Sequence, residues 1–101
     1  MVKRKLKVVI DNKAKKELRE VYKYIKKDSL QNAEKVKIAV LSSIKDLIKN
    51  PEVHPPDKYR LDKDAYYRAY ELYKLRITYH IGTEIISVLR IRHTKMNPLE
   101  H

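Results

Sequence analysis

Five side chains near the end of this sequence have the chemistry to act on a polyanion: Arg68, Arg76, Arg90, Arg92 and His93. A guanidinium is a planar fork of donors that grips a phosphate through two parallel bonds, whereas a lysine ammonium is a point charge. A charge-assisted hydrogen bond contributes about 1.5–3 kcal/mol, so three such arginines could hold a phosphate backbone firmly. Imidazole titrates near neutrality, so His93 could act as base or acid. The chain has no cysteine, which excludes disulfides, thiol chemistry and cysteine-ligated metals. No two histidines stand at a ligand-like spacing, so no metal site is expected. No other cofactor is expected either.

These residues need strands to position them. In residues 75–81, Leu75, Ile77, Tyr79 and Ile81 alternate with Arg76, Thr78 and His80, so the two sets lie on opposite faces. That is the pattern of a half-buried antiparallel strand. Residues 84–93 are rich in β-branched side chains and carry Arg90 and Arg92 near their end. Gly82-Thr83, with the chain's only glycine, suits the tight turn between the two. Residues 66–71 put Tyr66, Arg68 and Tyr70 on one face. If the three strands are neighbours, Arg68, Arg76 and Arg90 are expected to converge on one open face.

Earlier segments supply the rest of the fold. In residues 3–10, Leu6, Val8 and Ile10 alternate with Lys5, Lys7 and Val9, and the lysines suit a strand at or near a sheet edge. Asp11 or Asn12 then caps a helix whose apolar stripe is Ala14, Leu18, Val21, Tyr22 and Ile25, ending near Lys27-Asp28. Ser29 caps a second helix, expected over residues 30–49, with Ala33, Val36, Val40, Ile44, Leu47 and Ile48 on its stripe. Asn50-Pro51 stops it. The short linker makes the pair an antiparallel hairpin. Residues 51–64 hold three prolines and four acidic residues and read as a loop, with Lys58-Tyr59-Arg60 setting basic and aromatic groups before the sheet. The order β-α-α-β-β-β gives an α+β domain, an antiparallel sheet packed against an N-terminal helical hairpin, over residues 1–98. Leu99-Glu100-His101 reads as an expression-tag remnant.

The 101 residues suit one domain, and a hydrophobic content of 43% makes it globular. A formal charge of +11, from 24 Lys and Arg against 13 Asp and Glu, suits a polyanionic partner: nucleic acid, ribosome or an acidic protein. A lysine-rich host proteome would produce the same excess for solubility alone. Residues 1–50 carry 15 basic and 6 acidic side chains and residues 51–101 carry 9 and 7, so the helical half is the more basic, mostly through lysine. No apolar run reaches the roughly 18–20 residues of a membrane span. No signal-peptide pattern follows the basic N-terminus, so a cytoplasmic location is expected.

Taken in order, the alanine-containing second helix ending in Asn50-Pro51, Tyr67-Arg68, Leu75-Arg76-Ile77-Thr78-Tyr79 and Arg92-His93-Thr94-Lys95 before Asn97-Pro98 resemble the RelE/ParE superfamily. Its members are toxins of type II toxin–antitoxin, or plasmid stabilisation, systems. The resemblance implies the fold above and a cognate antitoxin. An acidic or amphipathic antitoxin segment would cover the basic face or the helical hairpin in a hetero-oligomer. For the RelE-like branch it implies a metal-independent, ribosome-dependent endoribonuclease that cuts mRNA and blocks translation. Arg76 then matches the arginine of the family's Arg-x-x-Tyr motif, Arg68 a basic residue of the preceding strand, and His93 a histidine near the C-terminus. These three would be catalytic. Lys58, Arg60, Arg90, Arg92 and Lys95 would bind RNA, and Asp57 could match an acidic residue of the nuclease branch. The departures are the absent terminal tyrosine, with none beyond Tyr79, and the absent paired lysines. The ending resembles the ParE branch equally well, and that branch implies a DNA gyrase inhibitor without nuclease activity. An inactive member that only binds its antitoxin is the third alternative. Arg76 has two readings, a phosphate clamp or a surface partner of Glu71. His93 also has two, since strict alternation from Leu89 and Ile91 puts it on the core face. The clustered tyrosines read as core fillers or as stacking platforms for bases.

Overall fold

A computed structural model describes residues 6–56 and 66–94. Strand β3 (Leu75–Ile81) buries Leu75, Ile77, Tyr79 and Ile81 and leaves Arg76, Thr78 and His80 half-buried between them. The alternation of the sequence is thus a real two-faced strand. It pairs antiparallel with β2 (Tyr67–Leu72) on one side and with β4 (Ile85–His93) on the other. Beyond β4 lies β1 (Lys7–Ile10), the sheet edge, in the order β1-β4-β3-β2. The lysine-flanked first strand therefore is an edge strand, as its composition suggests.

One pairing differs from the expected all-antiparallel sheet: β1 runs parallel to β4, with Lys7 opposite Ile85 and Ile10 opposite Val88. The cause is the helical hairpin, α1 (Asn12–Lys26) and α2 (Leu30–Asp46). It acts as a crossover, which is what parallel strands require. It returns the chain so that β2 runs in the direction of β1, and two tight reversals then bring β4 into the same direction. The α+β order β-α-α-β-β-β is otherwise as read.

The helices start and stop for local reasons. Ser29 Oγ accepts the Asn32 N–H at 3.1 Å, the N-cap bond expected of it. Asp11 precedes α1 without a side-chain cap bond. α2 ends at Asp46, earlier than residue 49, because the N–H groups of Leu47 and Ile48 bond back three residues to Ile44 and Lys45 and tighten the chain into turns ahead of Pro51. Ala14, Leu18 and Val21 of α1 and Val40 and Ile44 of α2, with Leu47, cover the apolar face of the sheet. Each fully buried Leu, Ile or Val there contributes about 1.5–3 kcal/mol. Among the described residues no helix is long and apolar enough to cross a membrane.

The β3–β4 turn falls at Gly82-Thr83, where the sequence places it. Gly82 has no positive φ. What its missing side chain provides is space, since a Cβ would lie 2.7 Å from the Ile85 carbonyl oxygen that accepts the Gly82 N–H. The left-handed backbone occurs instead at Tyr73 and Lys74, with φ of 51° and 64°. Two successive positive values are the geometry of a two-residue turn that normally calls for Asn-Gly.

Register slips between Thr78 and Tyr79, which face Arg90 and Val88, so β4 bulges at Leu89. The β1 pairing stops at Val88, where the Asp11 N–H reaches the Val88 carbonyl. The Ile91 N–H beyond it has no strand to bond. Glu17 of α1 fills that place: its Oε1 accepts the Ile91 N–H at 3.0 Å, and its carboxylate takes Arg90 Nε and Nη2 at 2.7–3.1 Å. Replacing Glu17 by Ala is expected to destabilise the fold by about 2–3 kcal/mol, since a partly buried guanidinium and a backbone donor lose their acceptor together. Glu17→Gln, which still offers an oxygen to Ile91, should lose less. Urea unfolding of the three proteins checks this, and equal midpoints would show that the clasp is not structural.

Candidate functional site

Cross-strand register decides which charged side chains share a face. Arg68 lies opposite Tyr79, on the face covered by the helices. Its Nη1 donates to the carbonyl oxygens of His54 at 2.7 Å and Glu52 at 3.4 Å, and its Nε is buried without a hydrogen-bond partner. Arg68 thus holds the loop after α2 against β2, where Pro56 bridges to Arg68 and the Ala69 N–H reaches Pro55.

Three aromatic rings and a serine complete this corner. The Tyr79 hydroxyl donates to the Pro51 carbonyl at 2.6 Å. The His54 ring stacks on Tyr70 at 4.0 Å between centroids and meets Tyr79 edge-on at 6.2 Å. Ser43 spends its one proton on the Val40 carbonyl, so the Tyr70 hydroxyl is the donor in its 2.8 Å contact with Ser43 Oγ. Burial disfavours the charged forms here. It pushes the Tyr79 phenol up to about 12 and the Tyr70 phenol above its ordinary value, and it lowers the His54 imidazole.

Arg76 lies on the opposite face, between Glu71 of β2 and Arg92 of β4. Its Nη1 stands 3.7 Å from Glu71 Oε2, which is the surface-partner reading of this residue. Arg92 is half-buried beside it. Four residues along the same face, Tyr67 and His80 form a cross-strand pair with ring centroids 4.6 Å apart. Arg90 is bonded to Glu17. His93 lies opposite Leu75, and its ring meets Tyr24 of α1 edge-on at 5.9 Å, as the core-face reading requires.

The expected convergence of Arg68, Arg76 and Arg90 is therefore not formed. Alternation fixed two faces on each strand, but the register of β2 on β3 matched Arg68 with the odd-numbered, buried set. Arg68 and His93 stand two strands and four residues apart, roughly 16 Å between backbones. Proton transfer to a substrate held by Arg68 needs contact of about 3 Å. Lys58, Arg60, Lys95 and Asp57 lie outside the described residues.

What the structure does bring together is a basic pair, Arg76 and Arg92, and an aromatic pair, Tyr67 and His80, on the sheet face turned away from the helices. Sequence reasoning missed the second pair because nothing in the sequence fixed the register that joins β2 to β3. It also missed a groove of about 420 Å³ lined by Ile25, Asn32, Lys35, Val36, Tyr73 and Lys74, which the left-handed turn borders.

A family model described as the ParE toxin of the type II toxin–antitoxin system parDE matches residues 8–98. Among solved structures, the chromosomal ParDE toxin–antitoxin system from P. aeruginosa matches with a TM-score of 0.70 and 18% identity, over 87% of this chain and 95% of that one. At that identity the likeness is one of fold. No curated protein sequence matches the chain.

The loop corner titrates at both ends of the pH scale. His54 binds a proton less readily folded than unfolded, so its contribution to stability is complete above the ordinary value of 6.5 and is lost as pH falls through it. Tyr79 holds its proton more tightly when folded, so its contribution is complete below 10 and is lost as pH rises towards about 12. Denaturation midpoints from pH 4 to 11 should fall at both ends. His54→Asn should flatten the acid side and Tyr79→Phe the alkaline side. Unchanged slopes in both variants would count against this account of the corner.

Proposed function

The chain belongs to the ParE toxin family of type II toxin–antitoxin systems, and from that membership we propose that it binds and inhibits DNA gyrase and does not cut RNA. The observation that carries this reading is the dispersal of the residues a nuclease would need. Arg68 is engaged by loop carbonyls, Arg90 by Glu17, and His93 packs against Tyr24. General acid–base cleavage requires the cation and the proton carrier at one scissile phosphate, and Arg68 and His93 are held far apart. A binding toxin needs only a complementary surface. The Arg76–Arg92 pair and the Tyr67–His80 pair supply charge and flat rings on an open sheet face. Its neutralising partner is a cognate antitoxin, with which it forms a hetero-oligomer.

The second reading is the ribosome-dependent mRNA endoribonuclease. One observation favours it: the two guanidinium groups opposite one another in register on the open face suit a phosphate backbone. Two assays separate the readings. In the first, purified toxin is added to gyrase supercoiling reactions. In the second, it is added to a cell-free translation extract, and the mRNA is mapped by primer extension. Inhibited supercoiling with intact mRNA is expected, and the Arg76→Ala/Arg92→Ala variant should lose at least tenfold in potency. Discrete, ribosome-dependent cuts with unimpaired supercoiling would overturn the gyrase reading in favour of the nuclease.

A further inference from the structure

Where α1 ends and α2 begins, the turn between β2 and β3 borders a groove of about 420 Å³. Ile25 of α1 and Val36 of α2, both half-buried against the core, are its apolar lining. Asn32 and Lys35 of α2 and Tyr73 and Lys74 of the turn are its polar lining, and no acidic side chain is among them. Tyr22, Tyr24, Tyr67, Tyr70 and Tyr79 each meet another ring or hydrogen-bond through the hydroxyl. Tyr73 does neither with any described residue, and it is 48% exposed. The Asn32 amide and the two ammonium groups likewise engage no other described side chain.

The backbone that presents Tyr73 and Lys74 is not one that their side chains favour. Both residues are left-handed, with φ of 51° and 64°, where a Cβ crowds the following carbonyl. Thr94 braces the turn, since its N–H and its hydroxyl both donate to the Lys74 carbonyl, at 2.9 and 3.1 Å. Asn-Gly would form the same turn with less strain. Strain of this kind persists where particular side chains have to be presented.

The lining narrows the ligand. Two ammonium groups from different elements balance one terminal phosphate, which carries about −1.5 to −2 at neutral pH. A tyrosine ring is a platform for a base, and a side-chain amide offers a donor and an acceptor to the edge of that base. The volume falls within the roughly 300–1,000 Å³ of small-molecule sites. Two lysines without a carboxylate disfavour a second copy, because a two-fold contact would set like charges together. They also supply cations for one phosphate rather than for a strand.

We propose that this groove binds a free nucleoside monophosphate, with its phosphate on Lys35 and Lys74, its base on Tyr73 and the base edge at Asn32. None of Arg76, Arg92, Tyr67 and His80 lines the groove, so the site stands apart from the gyrase reading.

The test titrates the ¹⁵N-labelled full chain with AMP, adenosine, inorganic phosphate and a 5′-phosphorylated tetra-adenylate, and follows amide shifts by NMR. AMP should move the signals of residues 32–36 and 73–74 and bind at least tenfold more tightly than adenosine or phosphate. Tyr73→Asn/Lys74→Gly gives the turn the residues its backbone prefers and removes the ring and one ammonium. It should melt no lower than the wild type, yet bind AMP at least tenfold more weakly. Lys35→Ala, at an exposed helical position that tests the site without touching the turn, should weaken AMP at least threefold. No shift at millimolar AMP, or wild-type affinity in both variants, would overturn the site. Phosphate binding as tightly as AMP would overturn the nucleotide in favour of a plain anion. Tetra-adenylate binding tenfold more tightly than AMP, through the same residues, would overturn the free nucleotide in favour of a strand.

Discussion

The apolar face of β3 has to be covered, and the arrangement of the molecule follows from that. Leu75, Ile77 and Tyr79 are inaccessible to solvent at the centre of the sheet. Each helix carries a stripe narrow enough to cover part of that face, and a short linker folds the two into the hairpin that covers it. Tyr79 adds a second demand. Its ring is fully buried, yet its hydroxyl cannot be left without a partner at acceptable cost. The Pro51 carbonyl meets that demand and pins the loop to the sheet. Arg68, on the same face, takes the Glu52 and His54 carbonyls of the loop. One buried row of side chains thus determines the helical layer, the position of the loop and the task of an arginine.

The strands and helices were legible because alternation and helical spacing are properties of consecutive residues. Residues 75–81 and the stripe Ala14, Leu18 and Val21 needed nothing else. Register is a relation between strands distant in sequence, and it turns on small features. A bulge at Leu89 sets Arg90 opposite Thr78, and Glu17 takes it where the β1 pairing has ended. A two-residue turn at Tyr73 and Lys74 sets Arg68 against Tyr79 rather than against an outward-facing residue. Neither has a local signature, since that turn lacks the Asn-Gly expected of its backbone. The parallel edge strand was hidden for the same reason: its partner lies more than seventy residues along the chain. Fold class therefore came from the sequence pattern, while the makeup of the candidate site did not.

Arginine was read as a sign of phosphate because of its fork, and the fork is used, but inward. Arg90 closes on a carboxylate that also caps an orphaned backbone donor, and Arg68 closes on carbonyls. A planar group with donors on several edges suits such corners as well as it suits a phosphodiester. Arginine content alone cannot separate the two uses. Among the described residues, the register-matched pair Arg76 and Arg92 lies on the open face, and there Glu71 offsets part of their mutual repulsion.

That division of labour bears on mechanism. Cutting a backbone requires cations and a proton carrier at one atom, held to within a fraction of an ångström. Here the basic pair and the nearest aromatic–imidazole pair on the same face are separated by four residues of strand, about 13 Å. Such spacing suits two separate contacts on an extended partner. It does not suit two groups acting on a single bond. Binding tolerates this spread, because each contact adds affinity wherever it falls on the interface. The lysines of the helical hairpin lie on the other layer from Arg76 and Arg92 and raise the rate at which any acidic partner finds the molecule. The basic pair of the sheet and the lysines of the helices thus lie on opposite layers of one small domain.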